Sequence, residues 1–182
     1  MIRFYKTQAE FEAFYARLKL CLCPHCKLSG YLILHGYLDG YREQDTSLIR
    51  RGRRIYCSNR NNKNGCGRTF CVLPASVLPK LRISAQSLWR FLDNVKNGLC
   101  PACAFRAAKC TLSQSSVYRL FKKFSLNQMR IRTFLSRVKD PPATEHVQAP
   151  FIQTILHLKS AFDTAACPIT EFQFRFQAPL FQ

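Results

Sequence analysis

Cysteines spaced for metal binding carry the clearest chemistry in this 182-residue sequence. One pair lies in a Cys-Pro-His-Cys segment, and the second pair is separated by eight residues rich in Asn, Lys and Gly, which are typical of a loop. Four thiolates suit the tetrahedral coordination of Zn²⁺, and two pairs on separate hairpins can close one such site. The pattern therefore predicts one structural zinc ion with four ligands: Cys23, Cys26, Cys57 and Cys66.

The Cys-Pro-His-Cys segment is also the motif of thioredoxin-like disulfide oxidoreductases. In those enzymes the pair follows a buried strand, opens a helix and uses only its own two cysteines. Here a helical pattern precedes Cys23, a strand-like pattern follows Cys26, and a second cysteine pair is present. We therefore expect this turn, called the first knuckle below, to be structural, with His25 as an exposed residue and not a ligand.

The cysteines outside the four-ligand set are interpreted as packing residues. Cys21 and Cys71 flank the predicted site and are expected to be buried apolar thiols. Cys100 and Cys103 have the spacing of another knuckle, but Cys110 is their only near partner. Core thiols in a helix are the favoured interpretation there, and a second metal site stays open as the alternative.

The elements that must position these residues change character along the chain. Thr7 followed by Glu10 is a capping box, and apolar residues after it predict an amphipathic helix over about 7–20. Strand patterns follow at 31–41, which ends in an Asp-Gly turn, at 47–57 and at 68–74. Past Pro74 and Pro79 the period becomes helical, with helix starts expected after Ser84, at Pro101, after Ser113, at Asn127 and near residue 150. A last strand is expected where Phe172, Phe174 and Phe176 alternate.

The predicted fold class is α+β, a small three-stranded zinc ribbon followed by a mainly α-helical helix-turn-helix unit. Residues 1–20 would form an N-terminal amphipathic helix and residues 21–79 the zinc ribbon. The helix-turn-helix domain would cover 80–139, and a C-terminal helix and tail 140–182.

Basic residues are concentrated in the middle of the chain. The sequence has 28 Lys and Arg against 10 Asp and Glu, a net charge of +18, and residues 50–139 hold 20 of the basic residues and one acid. This excess predicts binding to a polyanion, most simply nucleic acid. An anionic membrane surface is the runner-up, and a merely solvated surface is the plain alternative. An Arg-rich strand is expected to contact the nucleic-acid backbone through Arg50, Arg51, Arg53 and Arg54.

The helix expected after Ser113 has the features of a DNA-reading helix. Residues 84–124 predict helix, short helix, tight connection and helix, the order of a helix-turn-helix whose last helix enters the major groove. Its apolar positions leave the opposite side polar and basic, where side chains can reach base edges or phosphates. An ordinary amphipathic helix with solvated charges is the alternative. The predicted DNA contacts are Gln114, Ser115, Tyr118, Arg119, Lys122 and Lys123.

Several segments resemble a known family. CPHC, LHGYL, RRGRRIYC, GCGRTF and VLPASVLPK are similar to the zinc ribbon of bacterial insertion-sequence transposases and related helix-turn-helix proteins. LSQSSVYRLFKKF is similar to the recognition helix of resolvase-like and transposase helix-turn-helix units. The resemblance covers about residues 20–125. It implies that the four cysteines are zinc ligands and that residues 113–123 read duplex DNA.

No catalytic activity is expected. Many transposases use a ribonuclease-H-like domain in which carboxylates grip two metal ions. Only four acids lie within the 43 residues after the predicted DNA-binding part, and that stretch is too short for such a fold. We therefore expect a DNA-binding portion alone, with a separate transposase or recombinase subunit as a candidate partner.

The alternatives are a transcriptional regulator built from the same modules, an RNA-binding zinc-ribbon protein and, last, a disulfide-exchange enzyme. The polar start MIRFYKTQAE predicts no signal peptide, and no apolar run approaches the roughly 20 residues of a membrane span. Ten cysteines in such a chain favour metal ligands and reduced thiols. The expected location is the bacterial cytoplasm, in association with the nucleoid.

Overall fold

A computed structural model describes residues 1–45, 47–110, 113–143 and 149–182; of Gln114 it describes the backbone only. The fold is mixed α+β. The strands are β1 (Ile2–Tyr5), β2 (Leu32–Tyr41), β3 (Leu48–Cys57) and β4 (Thr69–Pro74). The helices are α1 (Gln8–Ala16), α2 (Ala85–Lys96), α3 (Pro101–Ala107), α4 (Gln114–Leu135), α5 (Pro150–Ala161) and α6 (Pro168–Phe176). None of the described helices is long and apolar enough to cross a membrane.

The strands form one sheet in the order β1-β4-β3-β2. The three strands expected from sequence are β2, β3 and β4, and β3 pairs antiparallel with each of the other two. β1 adds a fourth strand parallel to β4. β1 is not predicted from the sequence, because four residues are too few to show a period. The predicted position of the hairpin turn is wrong, since β2 continues through Asp39 and Gly40 to Tyr41.

Helix α1 covers one face of this sheet. Its capping box is confirmed: Thr7 Oγ1 accepts a hydrogen bond from Glu10 N at 3.1 Å, and Glu10 Oε2 accepts one from Thr7 N at 3.4 Å. The helix ends at Ala16, earlier than expected, and a 3₁₀ turn over Leu18–Leu20 follows. The core on this face consists of Phe14, Leu18, Leu32, Ile55, Phe70 and Val72, together with the buried Cys23 and Cys57.

The opposite face of the sheet packs toward the helices. Phe4, Leu73 and Ala75 form a small cluster there, with Phe174 of α6 packed against it. Gln177, just after α6, continues the contact, because its side chain accepts a hydrogen bond from Phe4 N at 2.9 Å and donates one to Phe4 O at 3.0 Å. The sheet and the C-terminal helix are thus in direct contact.

The five later helices share one apolar core, which includes residues from both 80–139 and 140–182. Ser84 caps α2 as predicted, accepting a hydrogen bond from Ser87 N at 3.1 Å. Two helices were expected between Ser113 and Val138, but α4 is a single helix of 22 residues. Asn127 does not start a new helix, because the apolar stripe keeps its helical phase on both sides of it, at Val117, Leu120, Phe124, Ile131 and Leu135.

The strand expected in the last segment is wrong, because α6 is a helix. Alternating phenylalanines satisfy a period of two, but Ile169, Phe172 and Phe176 also recur at helical spacing. Phe172 and Phe176 pack against Phe134 of α4, with ring centroids 5.7 and 5.1 Å away. The helix places both Phe172 and Phe176 against Phe134, and these aromatic contacts favour a helix over a strand in this segment.

Candidate metal centre and basic surfaces

Four sulfur atoms converge at one end of the sheet. The Sγ atoms of the predicted ligand set all lie within 4.8 Å of one another. Cys23 Sγ and Cys66 Sγ are 3.7 Å apart, as are Cys26 Sγ and Cys57 Sγ. Tetrahedral zinc with Zn–S bonds of about 2.3 Å requires sulfurs about 3.8 Å apart. The arrangement therefore fits one tetrahedral metal ion held by Cys23, Cys26, Cys57 and Cys66.

The first knuckle is shaped by a tight reversal of the backbone. Lys27 N donates to Cys23 O at 2.9 Å, and Cys23 N donates to Leu28 O at 2.9 Å. Lys27 takes the left-handed conformation, with φ of 63°, which lets the chain turn under the sulfurs. His25 is half-buried, and its Nε2 lies 3.3 Å from Thr69 O. The prediction that it is exposed is therefore only partly met, and His25 lies outside the sulfur cluster.

The second cysteine pair is joined by a loop that turns back on β3. Asn61 and Asn62 have positive φ values, a conformation that asparagine tolerates better than most residues. Gly67 N then donates to Cys57 O at 2.9 Å and brings Cys66 over the end of the strand. At Gly67, φ is 68°, so glycine is favoured at this position. The long gap between Cys57 and Cys66 is therefore compatible with a closed site.

Backbone amides and burial give the sulfurs different proton affinities. An N–H group of Leu28 is the main cause that lowers the pKa of Cys26 to about 7. Burial is the main cause that raises the pKa of Cys57 to about 12. Backbone amides also donate to Cys23 Sγ and Cys57 Sγ, from His25 N and Cys66 N respectively, each at 3.4 Å. Deprotonation of the buried Cys57 thiol therefore requires a compensating positive charge, which a divalent ion would supply.

The remaining cysteines do not assemble a comparable cluster in the part of the chain that the structure describes. Cys21 and Cys71 are half-buried, so the expectation of buried thiols is only partly met. Cys100 is exposed, so the expectation of a core thiol is wrong there; its Sγ caps α3 by accepting a hydrogen bond from Cys103 N at 3.2 Å. Cys110 lies apart, with its Sγ 3.9 Å from Ser87 O.

The four arginines of β3 do not share one surface. Arg50 and Arg53 lie near Tyr37 of β2, with guanidinium carbons 3.8 and 4.1 Å from the ring centroid. Arg51 is half-buried and donates from Nη1 to Leu81 O, so its guanidinium connects β3 to the segment before α2. Arg54 is exposed and, as the next residue after Arg53, belongs to the opposite face of the strand.

A cleft lies between the β2–β3 hairpin and the start of α1. Its cavity volume is about 290 Å³, and its lining includes Lys6, Gln8, Tyr37, Arg50 and Arg53. Tyr37 and Lys6 are not among the predicted DNA contacts. The pairing of Tyr37 with Arg53 would have pointed to Tyr37, but the turn expected at Asp39 and Gly40 does not give this register.

The exposed side of α4 carries most of its predicted DNA contacts. Ser115, Tyr118, Arg119 and Lys122 are exposed. Lys123 is half-buried, with its Nζ 5.7 Å from the ring centroid of Phe181. The side chain of Gln114 and the connection at residues 111–112 lie outside the described residues.

Comparisons of the chain with known protein families, with curated proteins and with solved structures find no match.

Proposed function

We propose that this protein is a zinc-stabilised, non-catalytic DNA-binding protein of transposase-related type, which binds duplex DNA through α4 and through Arg50 and Arg53 of β3. The observation that carries the proposal is the presence of 20 basic residues and only one acid across residues 50–139. Arg50, Arg53, Arg119 and Lys122 belong to this set, and none of them is in an ion pair among the described residues. Basic groups without acidic partners attract a polyanion.

The geometry of α4 supports a reading role. α2, α3 and α4 follow one another in the order of a helix-turn-helix, and Ser115 lies in the first turn of the last helix. Arg119 is one turn further on the same side, where its guanidinium could pair bidentately with guanine. Lys122 and Lys123 lie further from the helix start and are assigned to phosphates.

Zinc is assigned to the sulfur cluster from the chemistry of the donor set. Four cysteine sulfurs at tetrahedral spacing are the usual ligands of structural zinc, and such a site has no open position for a reacting water. The metal is therefore given a folding role, and the proposal includes no reaction at it.

The first test is a titration of duplex DNA at several salt concentrations. Affinity should fall steeply as salt rises, because several phosphates would be neutralised together. An affinity that hardly changes between low and physiological salt would contradict the polyanion assignment. A clear preference for single-stranded RNA would favour the RNA-binding alternative.

A second test compares two exposed residues of α4. Arg119→Ala should weaken a preferred site, identified by selection from random duplexes, about 5- to 100-fold while non-specific binding falls only slightly. Lys122→Ala is the matched control and should weaken both equally, with a shallower salt dependence. Equal weakening of both duplexes by Arg119→Ala would leave α4 as a phosphate contact only. A preferred site in terminal inverted repeats would favour the transposase-related assignment, and one in promoters a regulator.

A further inference from the structure

The register of the β2–β3 hairpin places two arginines beside one tyrosine. Tyr37 pairs with Arg53, and Asp39 pairs with Arg50, so the ladder skips Arg51, as in a β-bulge. Tyr37 and Asp39 share a face of β2, since strand residues two apart lie on one side. The skipped residue therefore brings Arg50 and Arg53, three positions apart in sequence, onto the same face of β3.

Both guanidinium groups lie within stacking distance of the tyrosine ring. The distances to its centroid, 3.8 Å for Arg50 and 4.1 Å for Arg53, are well inside the range for a cation–π contact. A stacked guanidinium keeps its N–H groups free at its edge, where they can bind an oxyanion in bidentate fashion. The ring thus holds two flexible side chains without using their donors.

No protein acceptor occupies these donors within the described residues. Neither Arg50 nor Arg53 takes part in any described ion pair, including one with the neighbouring Asp39. Lys6, at the far side of the cleft, differs in this respect, because its Nζ is 2.5 Å from Glu171 Oε2. The two arginines are therefore the positive groups of the cleft that are open to a ligand.

We propose that Tyr37, Arg50 and Arg53 form a phosphate clamp for one backbone phosphodiester of duplex DNA. The two arginines donate to the non-bridging oxygens, and Tyr37 is a positioning residue that orders both guanidiniums before DNA binds. This inference rests on the proposed function. It adds Tyr37 as a residue of the DNA-binding surface and specifies that its ring orders Arg50 and Arg53. Base stacking on Tyr37 is disfavoured, because the guanidiniums already lie at stacking distance from the ring.

The test compares two substitutions of Tyr37 in the zinc-loaded protein of 182 residues. Tyr37→Phe keeps the ring and should bind a non-specific duplex within about twofold of the unsubstituted protein. Tyr37→Ala removes the ring and should weaken binding about five- to tenfold on every duplex sequence, the loss expected from one or two exposed cation–π contacts. Zinc content and thermal unfolding should be measured for both variants, and Tyr37→Leu replaces Tyr37→Ala if that variant misfolds.

The arginines supply the second arm of the experiment. Arg53→Ala should weaken all duplexes similarly and make the salt dependence shallower by about one phosphate contact. In a protein that already carries Arg50→Ala and Arg53→Ala, Tyr37→Ala should have no further effect. A persisting effect there, or an unchanged affinity of singly substituted Tyr37→Ala, would overturn the clamp while leaving the proposed function standing.

Two further outcomes separate the hypotheses. If Tyr37→Ala weakens single-stranded oligonucleotides far more than duplexes, the ring stacks on bases and the clamp assignment is wrong. If the unsubstituted protein binds no duplex even at low salt, the proposed function fails, and the clamp for DNA fails with it.

Discussion

The sheet region, residues 1–75, and the helical region, residues 78–182, differ in the size of their apolar cores. The sheet region buries only a small set of apolar side chains on each face and contains the four-sulfur cluster. The helical region has a continuous apolar core with three fully buried phenylalanines, Phe91, Phe124 and Phe172. A small core supplies little net stability on its own, and small domains commonly add a metal. The difference indicates that metal dependence should be confined to the sheet region.

The two regions are nevertheless fixed to each other by polar contacts. Arg82 donates to three backbone carbonyls of the β2–β3 turn: Arg42 O at 2.7 Å, Glu43 O at 3.3 Å and Asp45 O at 2.6 Å. Glu43 Oε2 in turn accepts hydrogen bonds from Ser84 N at 3.0 Å and Ser87 Oγ at 2.9 Å. These hydrogen bonds attach the hairpin turn to the start of α2. A structural change in one region can therefore affect the other through them.

The largest effect is expected from Cys57→Ser. Structural zinc contributes on the order of 10 kcal/mol to the folding of small zinc domains, so loss of a ligand should unfold the sheet region. Metal analysis and hydrogen exchange would measure this, with protection retained in α2–α6. Cys71→Ser is the control, because Cys71 lies in β4 outside the cluster. Less than half an equivalent of zinc in the unsubstituted protein, or a Cys23–Cys26 disulfide, would contradict the assignment.

The helical region should respond to a loss of apolar volume instead. Phe172→Ala removes a fully buried ring and should cost about 3–5 kcal/mol of unfolding free energy. The sulfur cluster should keep its metal. Arg175→Ala, an exposed position in the same helix, should change stability by less than about 0.5 kcal/mol. Release of zinc together with the loss of α6 would show that the two regions unfold as one unit.

A smaller effect should reveal how closely the sheet packs on its helical side. A Cβ atom at Gly52 would lie 2.4 Å from Leu73 Cδ2 and 2.5 Å from Val72 O. Gly52→Ala should therefore cost about 1–3 kcal/mol by overpacking. Gly36→Ala is the matched control in β2, since nothing lies within 4 Å of its added Cβ. Chemical denaturation of both variants would decide the matter, and equal stability would mean that β4 moves away without penalty.

The smallest effect is expected at the start of α2, where the β2–β3 turn is attached. Ser84→Ala removes the side chain that caps α2 and should cost about 1 kcal/mol. Ser113 precedes α4 but makes no side-chain hydrogen bond to its backbone amides, so Ser113→Ala should cost less. The difference between the two melting temperatures is the measurement. A larger loss at Ser113 would contradict the capping geometry.

Local signals were predictable where they depend on neighbours in sequence. The Thr7 and Ser84 caps, the short helix at Pro101 and the pairing of the antiparallel strands all follow from residues close together in the chain. β1 was not predictable, because its partner β4 lies some 70 residues away and parallel pairing has no turn signal. α6 was wrongly predicted as a strand because its phenylalanines fit both the period of two of a strand and the spacing of a helix. Only the contacts with Phe134 in the folded protein distinguish the helix from the strand.

The sequence by itself determined the donor types of the candidate metal centre and the concentration of positive charge, since both are properties of side-chain identity. Only the tertiary structure decided which groups meet. The sulfurs of Cys57 and Cys66 reach those of Cys23 and Cys26 because β2 and β3 pair in one register. The same register, shifted at Arg51, sets Arg50 and Arg53 beside Tyr37. A register is selected by the burial of a whole face, so it cannot be read from any short segment alone.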